Sequence, residues 1–87
     1  MNSDCEIYLE IPAIEIEENT ILTDLIILKE SDCGTIRAKL GGIEYEQRID
    51  GFSRSKLFWG INQLAKKMPL EYSEGVYKKI WEIIFTM

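Results

Sequence analysis

Eighty-seven residues, 46% of them hydrophobic and 29% charged, suffice for one hydrophobic core and are too few for two independent ones. Fifteen acidic side chains against ten basic ones give a formal net charge of −5, and histidine, the usual acid–base and metal-binding side chain near neutrality, is absent. No apolar run approaches the roughly 20 residues that span a bilayer; the longest clean stretch is Leu25-Ile26-Ile27-Leu28.

The chain opens on Met1-Asn2-Ser3-Asp4-Cys5-Glu6, polar and acidic where a secretory leader would be basic and then apolar. The expectation is a soluble, cytoplasmic chain. Cys5 and Cys33 are the only thiols and lie outside any C-x-x-C arrangement, so a disulfide framework or a zinc site would lack most of its parts.

From Glu6 to Ile11 the residues alternate, Ile7, Leu9 and Ile11 against Glu6, Tyr8 and Glu10, the two-residue period of a strand with one wet face. At Pro12-Ala13 the parity slips, because Ile14 and Ile16 now alternate with Glu15 and Glu17. A bulge or bend is expected there, on an edge strand that tolerates a missing N–H. Thr20 to Lys29 is apolar on both parities, interrupted by Asp24; its isoleucines and flanking turn residues favour a strand over a helix. Ser31-Asp32-Cys33-Gly34 is turn chemistry.

The clearest local signal follows. Thr35 to Leu40, Gly41-Gly42 and Ile43 to Ile49 predict a β-hairpin. With a two-residue loop, Leu40 falls opposite Ile43, Lys39 opposite Glu44, Ala38 opposite Tyr45, and Arg37 opposite Glu46, which puts apolar pairs on one face and opposite charges on the other. After Asp50-Gly51, Ser53 is placed to cap a helix running to about Met68, stopped by Pro69, with Leu57, Phe58, Ile61, Leu64, Ala65 and Met68 as its core stripe. Gly60 within it costs about 1 kcal/mol relative to alanine, which a close approach to another backbone would offset. A linker through Tyr72 and a second cap at Ser73 lead to a last helix from Glu74, with Val76, Ile80, Ile83, Ile84 and Met87 inward; a terminal strand over 80–86 is the alternative.

Strands first and helices afterwards predict an α+β fold: a small antiparallel sheet of about four strands over residues 6–49, then two C-terminal helices over 53–87 packed on one face, all within a single compact domain of residues 1–87. The other face is left wet and carries Glu6, Glu10, Arg37, Lys39, Glu44, Glu46 and Arg48, with Glu15 and Glu17 near it.

Enzymatic chemistry lacks its parts. Carboxylates that alternate along strands are ordinarily solvated, whereas a catalytic pair needs one carboxyl in an apolar pocket; Asp24, among Leu22, Leu25 and Ile26, is the one candidate for partial burial. No calcium loop, phosphate-binding glycine frame or nucleophile–base pair is present. No cofactor and no metal are expected. Residues 1–50 hold twelve acids and four bases, net −8, and residues 51–87 three acids and six bases, net +3. Direct nucleic-acid binding starts from a repulsive field.

What this charge suits is a basic protein surface. The leading expectation is a non-enzymatic protein-binding domain, inhibitor- or immunity-like, that presents Glu6, Glu10, Glu44 and Glu46 to a partner such as a nuclease or other nucleic-acid-binding protein. Trp59, on the polar side of its helix, is either a second anchor for a partner or covered by the last helix. The runner-up is a homodimeric structural or accessory subunit; a small carboxylate-dependent enzyme is a weaker alternative.

Overall fold

Alternation in the N-terminal half and helical spacing in the C-terminal half build two layers. The computed structural model describes residues 5–86, so the expectations for the polar start at residues 1–4 and for the inward place of Met87 lie outside it. Four strands, β1 (Glu6–Glu17), β2 (Thr20–Lys29), β3 (Gly34–Leu40) and β4 (Ile43–Ile49), form an antiparallel meander in the order β1-β2-β3-β4. Two helices follow, α1 (Arg54–Lys66) and α2 (Leu70–Phe85). Helix α1 lies over β3 and β4, α2 lies over β1, and the helices pack on each other. This is the expected α+β layout.

The β3–β4 hairpin has the expected register at all four pairs, Leu40 with Ile43 through Arg37 with Glu46. Gly41 and Gly42 both take positive φ, 62° and 81°, which a two-residue turn matched to the strand twist requires. Ile36, Ala38 and Leu40 thereby face the helices and are buried, and Arg37 and Lys39 face away.

The parity slip in β1 is real but takes an unexpected form. Leu9 and Ile11 pack against the core, as do the buried Ile14 and Ile16, so Ile11 and Ile14 face the helices three residues apart across Pro12-Ala13. The pairing of β1 with β2 is nevertheless unshifted there, because Leu25 and Leu22, the fully buried partners of Ile11 and Ile14, are also three apart. Two matching irregularities cancel. Strand β3 has no counterpart, so its ladder with β2 shifts between Thr23 and Ile26, around Asp24 with its left-handed φ of 54°. Further shifts in the β1–β2 ladder lie between Ile7 and Leu9 and between Glu15 and Glu17.

Both sheet margins are modified. Pro12 removes an N–H from β1. On β4, the carbonyl of Glu46 accepts from Lys67 Nζ at 2.6 Å and that of Arg48 from Gln47 Nε2 at 2.9 Å.

Ser53 caps α1 as its sequence position implies, its Oγ accepting from the Lys56 N–H at 3.3 Å. The second helix begins earlier than the sequence pattern suggests. Pro69, with φ −53°, is its N-cap, and the Pro69 carbonyl accepts from the N–H groups of Tyr72 and Ser73, so Leu70 to Tyr72 are helical and not a linker. Ser73 does not cap; its hydroxyl donates to the Leu70 carbonyl. Proline at a helix start loses no intrahelical bond, and its fixed φ is already helical. The alternative of a terminal strand is excluded by the helix through Phe85.

Two glycines let the helices approach the sheet. A Cβ on Gly60 would lie 2.5 Å from Ile49 Cγ2 and 2.9 Å from Ile36 Cδ1, and one on Gly75 would lie 2.9 Å from Ile16 Cγ2. The neighbours that exclude a methyl are isoleucine side chains, so the approach at Gly60 is to side chains and not to the backbone expected there. Among the described residues the core between the layers is apolar apart from the buried Thr35, and includes the fully buried Leu22, Leu25, Ile27, Ile36, Ile61, Leu64, Val76 and Ile80.

Candidate functional site

The face of the sheet away from the helices is charged in stripes. Arg37 and Lys39 run along β3; Glu44 and Glu46 flank them on β4, and Glu10 and Asp24 on the β1–β2 side. Arg37 Nε lies 3.8 Å from Glu46, and Lys39 Nζ lies 3.6 Å from Asp24. Pairs this exposed are worth about 0–1 kcal/mol each, so they pattern the surface more than they hold the fold. Glu10, Glu15 and Glu44 stay exposed outside those ion pairs, which leaves the face acidic but interrupted by a basic central row. The face is mixed in charge, as the alternation of Arg37 and Lys39 with the glutamates implies, and its acids are divided by that row.

Three positions differ from expectation on this surface. Glu6 leaves it: the register shift between Ile7 and Leu9 reverses the parity, so Glu6 pairs with Lys29, whose ammonium lies 5.5 Å from the Phe52 ring on the helix side. Tyr8 goes the same way and meets Phe52 edge-on, ring centroids 4.9 Å apart. Asp24 is exposed instead of partly buried, because the left-handed backbone at that residue turns it outward toward Lys39. Strand β2 adds the half-buried Ile26 and Leu28 to the outer face, Ile26 lying between Glu10 and Arg37.

Trp59 remains 47% exposed; the last helix does not cover it. The residue that α2 reaches is its neighbour Phe58, whose ring meets Tyr77 at 5.6 Å and Trp81 at 5.0 Å, both edge-on. Phe58 is accordingly removed from the core stripe to a half-open aromatic row that continues to Phe85, itself held under the Arg54 guanidinium at 5.5 Å. One residue is 100° on a helix, enough to separate a covered ring from an open one.

Beside Trp59 is a groove of about 550 Å³ between α1 and the end of β4, bordered also by Cys33, Arg48, Asp50 and Lys56. Composition and spacing do not reveal it, since its residues come from the β2–β3 turn, an edge strand and a helix. Lys56 Nζ bonds Asp50 at 2.9 Å and holds that carboxyl below the usual carboxylate range. Asp50 therefore adds stability that is complete above its unfolded pKa of about 3.9 and is lost as pH falls through the lower folded value. Lys56→Ala should return the Asp50 titration, followed by carboxyl NMR, to the ordinary range; an unmoved titration would show that the pair does not persist in solution. The Cys33 thiol donates to Glu30 Oε1 at 2.9 Å, and this hydrogen bond, with desolvation and the carboxylate's charge, raises its pKa.

Among the described residues, no group of three or more His, Cys, Asp or Glu side chains is placed to hold a metal ion, and no helix is long and apolar enough to cross a membrane. Compared with protein-family models, curated proteins and solved structures, the chain matches none.

Proposed function

We propose that this chain is a non-enzymatic protein-binding domain, inhibitor- or immunity-like, that lays the outer face of its sheet on a basic surface of a partner protein. The observation that carries the reading is that Glu10, Glu15 and Glu44 stand exposed on a face without helices and outside the ion pairs that neutralise Arg37 and Lys39. Opposed charge of this kind raises association rates by roughly 10–10³ at low salt while adding little to folding. The striped pattern adds orientation, because the partner must meet acids on both sides of a central basic row. The experiment is capture from extract of the source cell on immobilised wild-type protein and on the Glu10→Lys/Glu44→Lys variant, over a salt series. Retention of a partner by the wild type should fall at least about tenfold in the variant and steeply with salt; retention indifferent to the reversal would refute the sheet face as the docking surface.

A homodimer has one observation of its own. Leu70 and Phe85, at the two ends of α2, are 90% and 64% exposed, more than any other large apolar side chain described. Such side chains can close a self-complementary patch. Sedimentation equilibrium decides: a monomer at high concentration removes this reading.

A further inference from the structure

We propose that the groove beside Trp59 is a binding site for a small molecule made of a flat aromatic ring bearing an anionic group, the ring lying against the indole and the anion on Arg48. This goes beyond the protein-docking reading and does not depend on it. The groove's volume, about 550 Å³, falls in the range of small-molecule sites, about 300–1,000 Å³. Its apolar walls are the exposed Trp59 and the edge of Ile49, and its polar rim is Arg48, Asp50, Ser55 and Lys56.

The charges select the ligand. Lys56 and Asp50 neutralise each other at 2.9 Å. Arg48 is the groove's cation outside an ion pair among the described residues, with one described hydrogen bond, from its Nη2 to Cys33 Sγ at 3.6 Å. A thiol is a weak acceptor, and its hydrogen bond to the Glu30 carboxylate favours the protonated form, which keeps the sulfur neutral and out of competition for the guanidinium. The remaining guanidinium donors suit a bidentate carboxylate or phosphate. An indole left half open offers a face for stacking a ring, which every planar aromatic can use. A long polyanion is a poorer occupant, because a chain of net −5 repels each further phosphate. One anion on one ring fits both the groove and its single spare cation.

Two probes separate the sources of the anion: adenosine 5′-monophosphate for phosphate and indole-3-acetate for carboxylate, each beside its uncharged counterpart, adenosine or indole-3-acetamide. Binding is read from the Trp59 indole N–H resonance in heteronuclear NMR. At least one anion should give a saturable shift, at least about tenfold tighter than its uncharged counterpart and weakening with salt. Response to the phosphate alone or to the carboxylate alone names the anion and supports the site. Arg48→Gln should weaken binding at least about fivefold without lowering the melting temperature, since the side chain is exposed. Absence of a saturable shift from both anions, equal binding of the uncharged counterparts, or affinity unchanged in Arg48→Gln would overturn the proposal. Charge reversal on the sheet face at Glu10 and Glu44 should leave these shifts unchanged, so this test and that of the docking face fail separately.

Discussion

Ile61→Ala should cost about 2–5 kcal/mol, read from the denaturant midpoint at unchanged slope. Ile61 has no exposed surface and lies in α1, the helix that spans β3 and β4. Truncation removes three carbons from an interior that cannot close fully, so the lost transfer energy and the residual cavity add. For a chain of this length, total stability on the order of 4–13 kcal/mol is expected. The substitution therefore consumes a large share of it. The same truncation at Leu70, which is 90% exposed, should stay within about ±0.5 kcal/mol. Equal losses at both positions would mean that the helices do not pack on the sheet as described.

Gly60→Val should be at least as damaging, about 3 kcal/mol or more, and Gly60→Ala gives the graded comparison. Alanine gains about 1 kcal/mol of helix propensity over glycine. Against that stands a methyl built 2.5 Å from Ile49 Cγ2 and 2.9 Å from Ile36 Cδ1. The Ile36 contact is with a side-chain tip that can rotate aside, but Ile49 Cγ2 is bonded to Cβ and moves only by a χ1 change, which a buried β-branched side chain resists, or with β4 itself. Overpacking of about 1–3 kcal/mol should therefore outweigh the propensity, leaving alanine destabilised and valine more so. Ile49→Ala costs stability alone, yet combined with Gly60→Ala it should cost about 1–2 kcal/mol less than the two single losses together, since the new methyl occupies vacated space. Strict additivity in that double-mutant cycle would mean that Gly60 and Ile49 do not touch.

Those two positions show how far the sequence reaches. Gly60 is legible as a close approach because glycine inside an amphipathic pattern needs a reason; that isoleucine side chains and not a backbone approach it is decided by the way α1 crosses β3 and β4. The hairpin was legible to the residue pair, since Gly41-Gly42 sets the loop and the alternation sets the faces. Glu6 and Tyr8 were not. A bulge between Ile7 and Leu9 has no local marker, and a single extra residue reverses every side chain before it. Asp24 was misjudged for a related cause: its apolar neighbours in sequence belong to both faces of a strand, and the backbone irregularity there matches one in β1 that only pairing reveals. Helix α2 starts four residues before the sequence pattern implies, because Ser73 resembles a cap and Pro69, a stop signal for α1, also starts α2.

The candidate sites divide in the same way. Exposure of Glu10, Glu44 and Glu46 follows from alternation, and Trp59 stands out by its angular place on α1. Arg48, Cys33, Asp50 and Lys56 could not be joined to Trp59 beforehand, because nothing local in the chain says that a strand end, a turn and the first turns of a helix border one groove. The neutralising row on β3 was legible as pairs but not as a division of the acidic face.

The outward carbonyls of β4 occupied by Lys67 and Gln47, with Pro12 on the opposite margin, bear on how copies of this chain behave at high concentration. A foreign strand that tried to lengthen the sheet would have to displace a lysine amine and a glutamine amide on one side and accept a missing donor on the other. Fibril-like growth is thereby discouraged from both ends of the meander. Association of these chains is thereby steered toward side chains meeting across faces and away from strand-to-strand extension of the sheet.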